Sequence, residues 1–282
     1  MTRRRFTCTL VCAIALLALD VPSARAWGLQ THQEINRRAA EAMGSACQGF
    51  FRRHAAALAR RAIEPDTILK DRLGNRERIH HFIDLDLYGA PPFRDLPEDY
   101  AAAVARYGRD RVRERGVLPW HIETMSTALR LDLRHGDLEA AERDAAYLGH
   151  YVADGTMPLH TTRFHDGRSE AQAGVHRRIE LELIDRRFAP YQQALDQAEV
   201  RVDPWPARAR DRIAAVFRLL RESYAGVGPL LDADVAAARI DPAHGAAYLE
   251  AFEASSGELL RRQIVAAARA VAAAWRAACA PP

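Results

Sequence analysis

Residues 137–160 read DLEAAERDAAYLGHYVADGTMPLH, and this stretch decides the fold. Ala, Leu and Glu, all strong helix formers, carry it from 137 to 154. Within it His150 and Asp154 stand four apart, so both project from one helix face. Pro158 ends the helix, and His160 returns from the following turn. A His/Asp pair at this spacing is common by chance. A third ligand type just past a proline stop makes the pattern far more specific.

The same helix-forming composition extends in both directions. Further helices are expected at 31–44, 47–62, 97–114, 119–135, 173–187, 207–225 and 242–279, the last broken near Ser255-Ser256-Gly257. Gly and Pro clusters mark connections at Gly89-Ala90-Pro91-Pro92, Pro204-Trp205-Pro206 and Gly226-Val227-Gly228-Pro229. No segment keeps the alternation of a strand, and no internal repeat or low-complexity linker stands out. The expectation is one all-α domain of many helices.

The chain has 282 residues, 49% hydrophobic and 27% charged, an ordinary globular balance. Its start differs from the rest. Arg3, Arg4 and Arg5 precede an apolar run densest from Cys12 to Ala18, and Ser23-Ala24-Arg25-Ala26 supplies a small-residue processing site. That order predicts a secretory signal peptide over 1–26, cleaved after Ala26, and a secreted or periplasmic domain over 27–282. A membrane anchor is the rival reading, but the apolar run is short for a bilayer. Four arginines against one aspartate give the signal +3, which is the net charge of the whole chain, so the remainder is near neutral. Near neutrality argues against a strong electrostatic grip on nucleic acid or anionic membrane. Lys70 is the only lysine, and the arginine excess reads as compositional bias. Cys47 and Cys279 remain after processing. An oxidising compartment allows them one disulfide, tying the last helix to the first.

Four fragments carry candidate chemistry. In Trp27-Gly28-Leu29-Gln30-Thr31-His32, cleavage makes Trp27 the N-terminus, whose amino nitrogen and carbonyl oxygen can chelate a metal. His32 lies one helical turn on. The bland reading makes Trp27 a core anchor and His32 a surface residue. Asp66 sits at a turn or helix start in Glu64-Pro65-Asp66-Thr67. In Arg78-Ile79-His80-His81-Phe82-Ile83-Asp84, His81 opens a core-facing stretch, with His80 its rival. The third fragment is the His150, Asp154, His160 set. In the fourth, His176 and Glu180 repeat the four-residue spacing, although Arg177 and Arg178 alongside allow a plain salt-bridged helix. Nitrogen and carboxylate donors without cysteine suit catalytic zinc better than a closed structural site. So many ligands imply two or three ions. His54, His121, His135 and His244 lack ligand-spaced partners, while His165, in the loop between the third and fourth fragments, could line the cleft without being a ligand.

These residues, in this order, resemble the superfamily of bacterial zinc-dependent phospholipases C and fungal and plant single-strand-specific nucleases. That superfamily's pattern is an N-terminal Trp, a nearby His, an Asp, an HF-x-D stretch, then H-x-x-x-D-x-x-x-x-x-H and H-x-x-x-[DE]. Each element has its counterpart here from Trp27 to Glu180. The resemblance implies an all-α domain with a metal cleft between helices and three Zn2+ ions. The first ion would take Asp66, His81, His150 and Asp154. The second would take His160, His176 and Glu180, and the third Trp27, His32 and a shared Asp154. It also implies phosphodiester hydrolysis by zinc-activated water, with Asp66 as general base. Glu180 in the last motif resembles the phospholipase branch, whereas the short gap from Trp27 to His32 resembles the nucleases. The phospholipase-like reading is favoured, with a single-strand-specific nuclease as the alternative. A non-catalytic zinc-binding secreted protein is a further alternative of another class. The expected partner is a phosphodiester, a phospholipid head group or nucleic acid. Nothing implies a stable protein partner, and a monomer is expected.

Overall fold

A computed structural model describes residues 27–200, 202, 205, 206 and 208–280. The expected signal segment, 1–26, lies outside the described residues, as does Pro204. Among the described residues the chain is helical and contains no strand, as the composition requires. The longer helices, in order, are α1 (Leu29–Ala42), α2 (Ala55–Arg61), α3 (Tyr100–Tyr107), α4 (Arg109–Glu114), α5 (Leu118–His135), α6 (Leu138–Asp154), α7 (Ala189–Gln197), α8 (Ala209–Tyr224), α9 (Val227–Ile240) and α10 (Ala246–Ala278). Among the described residues no helix is long and apolar enough to cross a membrane.

α6 is the axis of the bundle, packed by α5, α1, α2 and α10. Asp137 caps its start by accepting the amide of Ala140 at 3.1 Å, which satisfies one of the orphan N–H groups of the first turn. From Leu148 to Asp154 every residue is buried, so this end of the helix has no solvent face. Apolar neighbours explain Leu148, Val152 and Ala153. His150 and Asp154 have no such excuse, because a buried polar group is costly unless partnered. Gly149 lets α1 come close: a Cβ there would sit 2.2 Å from Asn36 Oδ1.

Several expected boundaries need correction. α10 runs 33 residues without a break at Ser255-Ser256-Gly257. The two serine hydroxyls donate back to the carbonyls of Ala251 and Phe252, and Tyr248, Phe252, Leu260 and Ile264 keep one continuous buried face. That burial outweighs the roughly 1 kcal/mol cost of a helical glycine. The connection marked by Gly226-Val227-Gly228-Pro229 is only Ala225 and Gly226 long, and Val227, Gly228 and Pro229 already form the first turn of α9. Proline is tolerated in a first turn, where its missing N–H has no partner to lose. The helix expected over 47–62 is broken, since Cys47, Gln48 and Gly49 take left-handed backbone. The one expected over 97–114 is split at Gly108, φ +84.

Cys47 and Cys279 form a disulfide across 232 residues. Beside it, Phe51 stacks on Trp275 with centroids 4.9 Å apart, and Trp275 Nε1 donates to Ala145 of α6 at 2.9 Å. The segment after α1 and the end of α10 are thereby fixed to α6.

Candidate metal centre

Six pieces of chain meet at the buried end of α6. α6 itself supplies His150 and Asp154, and α1 supplies His32 from its first turns. The wide turn Pro65–Leu69 supplies Asp66, and the short turn Pro158–Thr161 supplies His160. His81 follows the turn Asn75–Arg78. A helical segment beginning at Val175 and continuing through Arg178–Ile184 supplies His176 and Glu180. All eight side chains are buried, none more than 4% exposed.

Their donor atoms fall into three groups, each able to hold a metal ion: His32, His150 and Asp154; Asp66, His81 and His150; and His160, His176 and Glu180. Asp154 joins them. Its Oδ2 lies 2.9 Å from His81 Nδ1 and 3.3 Å from His150 Nε2. Its Oδ1 lies 3.3 Å from His32 Nε2 and 3.7 Å from His160 Nδ1. Asp66 Oδ1 is 3.5 Å from His81 Nδ1. His160 Nε2 is 3.1 Å from His176 Nε2 and 3.5 Å from Glu180 Oε1. Two ligands about 2.05 Å from a tetrahedral ion are about 3.3 Å apart, so the spacings within each group match ligand pairs around a shared cation, while the 3.7 Å approach of Asp154 to His160 Nδ1 is a contact between neighbouring groups.

Hydrogen bonds behind the site fix which nitrogens face inward. His150 donates Nδ1–H to the Ala62 carbonyl at 2.8 Å, leaving Nε2 for the centre. His160 donates Nδ1–H to the His81 carbonyl at 2.8 Å, leaving its own Nε2 free. His81 is turned the other way, with Nε2 on Glu77 at 3.2 Å and Nδ1 inward. Such outer partners are what hold a metal-binding imidazole in one tautomer.

Charge balance also calls for a cation. Burial, with His150 nearby, lowers the His32 pKa to about 4, and burial lowers His176 to about 4. Both rings are therefore neutral at pH 7 with lone pairs available. Burial raises Glu180 to about 8. Burial also opposes ionisation of Asp66, but the Lys70 ammonium and the His150 and His81 rings together pull its pKa below the usual range. Asp154 is likewise held well below that range, by His150 and His160 against the burial penalty. Several buried atoms find no partner: both ring nitrogens of His32, Asp66 Oδ2, Asp154 Oδ1, His176 Nδ1 and Glu180 Oε2. Orphaned acceptors and neutral imidazoles gathered on one point fit a divalent cation.

A cavity of about 340 Å3 opens onto this centre. His81, His160 and His176 form its floor, Phe82 and Leu159 an apolar wall, and Lys70, Arg78 and His165 its remaining polar lining. No family model matches the chain, and no curated protein matches it.

His81 rather than His80 reaches the centre. His80 stacks instead on His121, centroids 3.8 Å apart. The Trp27 indole is fully buried and donates Nε1–H to the Ala153 carbonyl at 2.8 Å, next to Asp154. Two supporting residues escaped the sequence reading: Lys70 pairs with Asp66, and Glu77 accepts from His81. Both carried a signal, since each stands four residues from its partner. His165 lines the cavity, as its loop position suggested.

Proposed function

We propose that the protein is a zinc-dependent hydrolase of phosphoric esters with phospholipase C-like preference. One observation carries this reading: three buried ligand groups adjoin one another, and two of them line a single cavity through His81, His160 and His176. A closed structural site would have no need of such an opening. Three Zn2+ ions are the proposed complement, the third completed by the amino and carbonyl groups of Trp27 after processing at Ala26. Bound there, zinc supplies an activated water and neutralises charge developing at phosphorus.

The chain's own residues do the remaining work. Lys70 and Arg78 at the cavity place positive charge where an anionic ester would sit. Phe82 and Leu159 exclude water on one side. Asp66, the proposed general base, is held ionised beside Lys70 against the penalty of its burial. Glu180, the longer carboxylate in the last motif, favours the phospholipase-like preference. The same cationic lining would also accept a nucleic-acid backbone, which keeps the single-strand nuclease as the second reading.

The test is hydrolysis of a simple aryl phosphodiester by processed protein, with and without a chelator. Zinc-dependent turnover supports the proposal, and stoichiometric zinc without turnover would leave the non-catalytic reading standing in its place. Phosphatidylcholine against denatured DNA then separates the two enzymes.

A further inference from the structure

We infer that Glu77 is a positioning residue, which sets His81 with Nδ1 toward Asp66, His150 and Asp154 by accepting the proton on Nε2. The inference rests on reading the centre as a metal site.

Glu77 is 2% exposed and stands four residues before His81. Its Oε1 accepts from His81 Nε2 at 3.2 Å and from the Tyr151 hydroxyl. Its Oε2 faces His80 Nδ1 at 3.3 Å. Burying a carboxylate costs several kcal/mol unless its environment compensates. These partners are two imidazoles and a phenol, a weaker compensation than a guanidinium fork. Such an expensive group is better explained by what it holds than by its own contribution to stability.

What it holds is the exceptional histidine of the centre. His150 and His160 give Nδ1–H to backbone carbonyls and keep Nε2 for the centre. His81 is reversed, and its Nε2 is held by a side chain. Rotating that ring by half a turn would replace Nδ1 with a carbon at the position 2.9 Å from Asp154 Oδ2. An acceptor fixed at Nε2 removes that alternative, and Tyr151 on α6 fixes the acceptor. The same helix thus carries two ligands and, between them, the phenol that steadies a third. His80, stacked on His121 at 3.8 Å, closes the far side of the carboxylate.

The test uses processed full-length protein with 15N-labelled histidine, titrated with zinc. In the wild type, zinc uptake should be accompanied by one Nδ1-ligated imidazole carrying a slowly exchanging Nε2–H. Glu77→Leu should lose that signal and weaken one zinc ion ten- to a hundredfold, the usual effect of removing an outer-shell partner. Glu77→Gln keeps a carbonyl oxygen for His81 and Tyr151, and should stay within about threefold of wild type while keeping the signal. Unaltered zinc affinity and signal in Glu77→Leu would overturn the inference, as would a loss in Glu77→Gln as large as in Glu77→Leu. Should Glu77→Leu not fold, Tyr151→Phe decides: the Nε2–H should exchange faster, and an unchanged rate overturns the role. Wild-type protein that takes up no zinc would refute the metal reading itself, and this inference with it.

Discussion

Gly149→Ala adds a single methyl group and should disable a ligand 117 residues away in the chain. The new Cβ would lie 2.2 Å from Asn36 Oδ1 and 2.9 Å from its Cγ. Ordinary contact needs about 3.5 Å, so α1 and α6 must separate by about 1 Å, or Asn36 must swing away. Asn36 is fully buried and donates to the His32 carbonyl at 3.1 Å, so either response disturbs the turn that carries His32. Metal ligands tolerate about 0.2 Å. His32 Nε2, now 3.3 Å from Asp154 Oδ1, would be carried out of range of a shared ion. Overpacking of this kind costs about 1–3 kcal/mol, or about 2–4 °C in Tm per kcal/mol for a domain this size. The assay is metal analysis after gel filtration, paired with a thermal melt. The expected result is one zinc ion fewer and a melt lower by about 4–8 °C for the middle of that range. Adding Asn36→Ala should recover part of both. Full zinc content and an unchanged melt in the single variant would refute the proposed close approach of the two helices.

Asp154→Asn should abolish hydrolysis and lower zinc content by more than one ion, because both carboxylate oxygens face ligand histidines; full zinc with normal turnover would disprove the bridging role. Zinc-free protein should lose stability as pH rises from about 6.5 to 8. Folded Glu180, raised from 4.5 to about 8 by burial, keeps a proton that the unfolded chain has released, so its contribution is full below about 4.5 and declines from there through about 8. His32 and His176, lowered to about 4, act in the opposite direction only below about 6.5. Urea midpoints against pH should show this decline, and Glu180→Gln should flatten it. Cys47→Ser removes a bridge spanning 232 residues, for which chain entropy gives about 5 kcal/mol as an upper figure; a urea midpoint equal to wild type would deny the bridge any stabilising role. Extra residues left before Trp27 should cost about one zinc ion and most activity, with helix content unchanged, and equal stoichiometry in extended and trimmed protein would remove Trp27 from the centre.

The sequence was most readable where spacing alone determines direction. His150 with Asp154, and His176 with Glu180, share helix faces by periodicity, and the structure brings both pairs to one point. His81 over His80 could not be decided from spacing, because adjacent residues in a turn point apart and only the fold says which way is in. Gly226 and Pro229 marked a connection that is really there, but the helix after it was not legible, because the residues that interrupt helices also begin them. Ser255 and Ser256 misled for a distant reason, since nothing nearby in sequence announces the buried face that carries α10 through. Lys70 and Glu77 were legible in principle. Each is a charged residue four positions from a proposed ligand, on a stretch where charge looked like an ordinary solvated surface.

One contact also bears on the order in which the molecule can be assembled. The carboxylate of Asp185 accepts from the amides of Gln30 and Thr31 and from the Thr31 hydroxyl, and so caps the first turn of α1. Gly28 lies against it with no room for a Cβ. A chain under synthesis therefore makes His32 early but lacks the carboxylate that caps that turn until more than 150 further residues have been added. The same late segment carries Glu180. Nascent chains halted before residue 185 should consequently leave the first turn of α1 open to proteases, and those extended through the last helix should not.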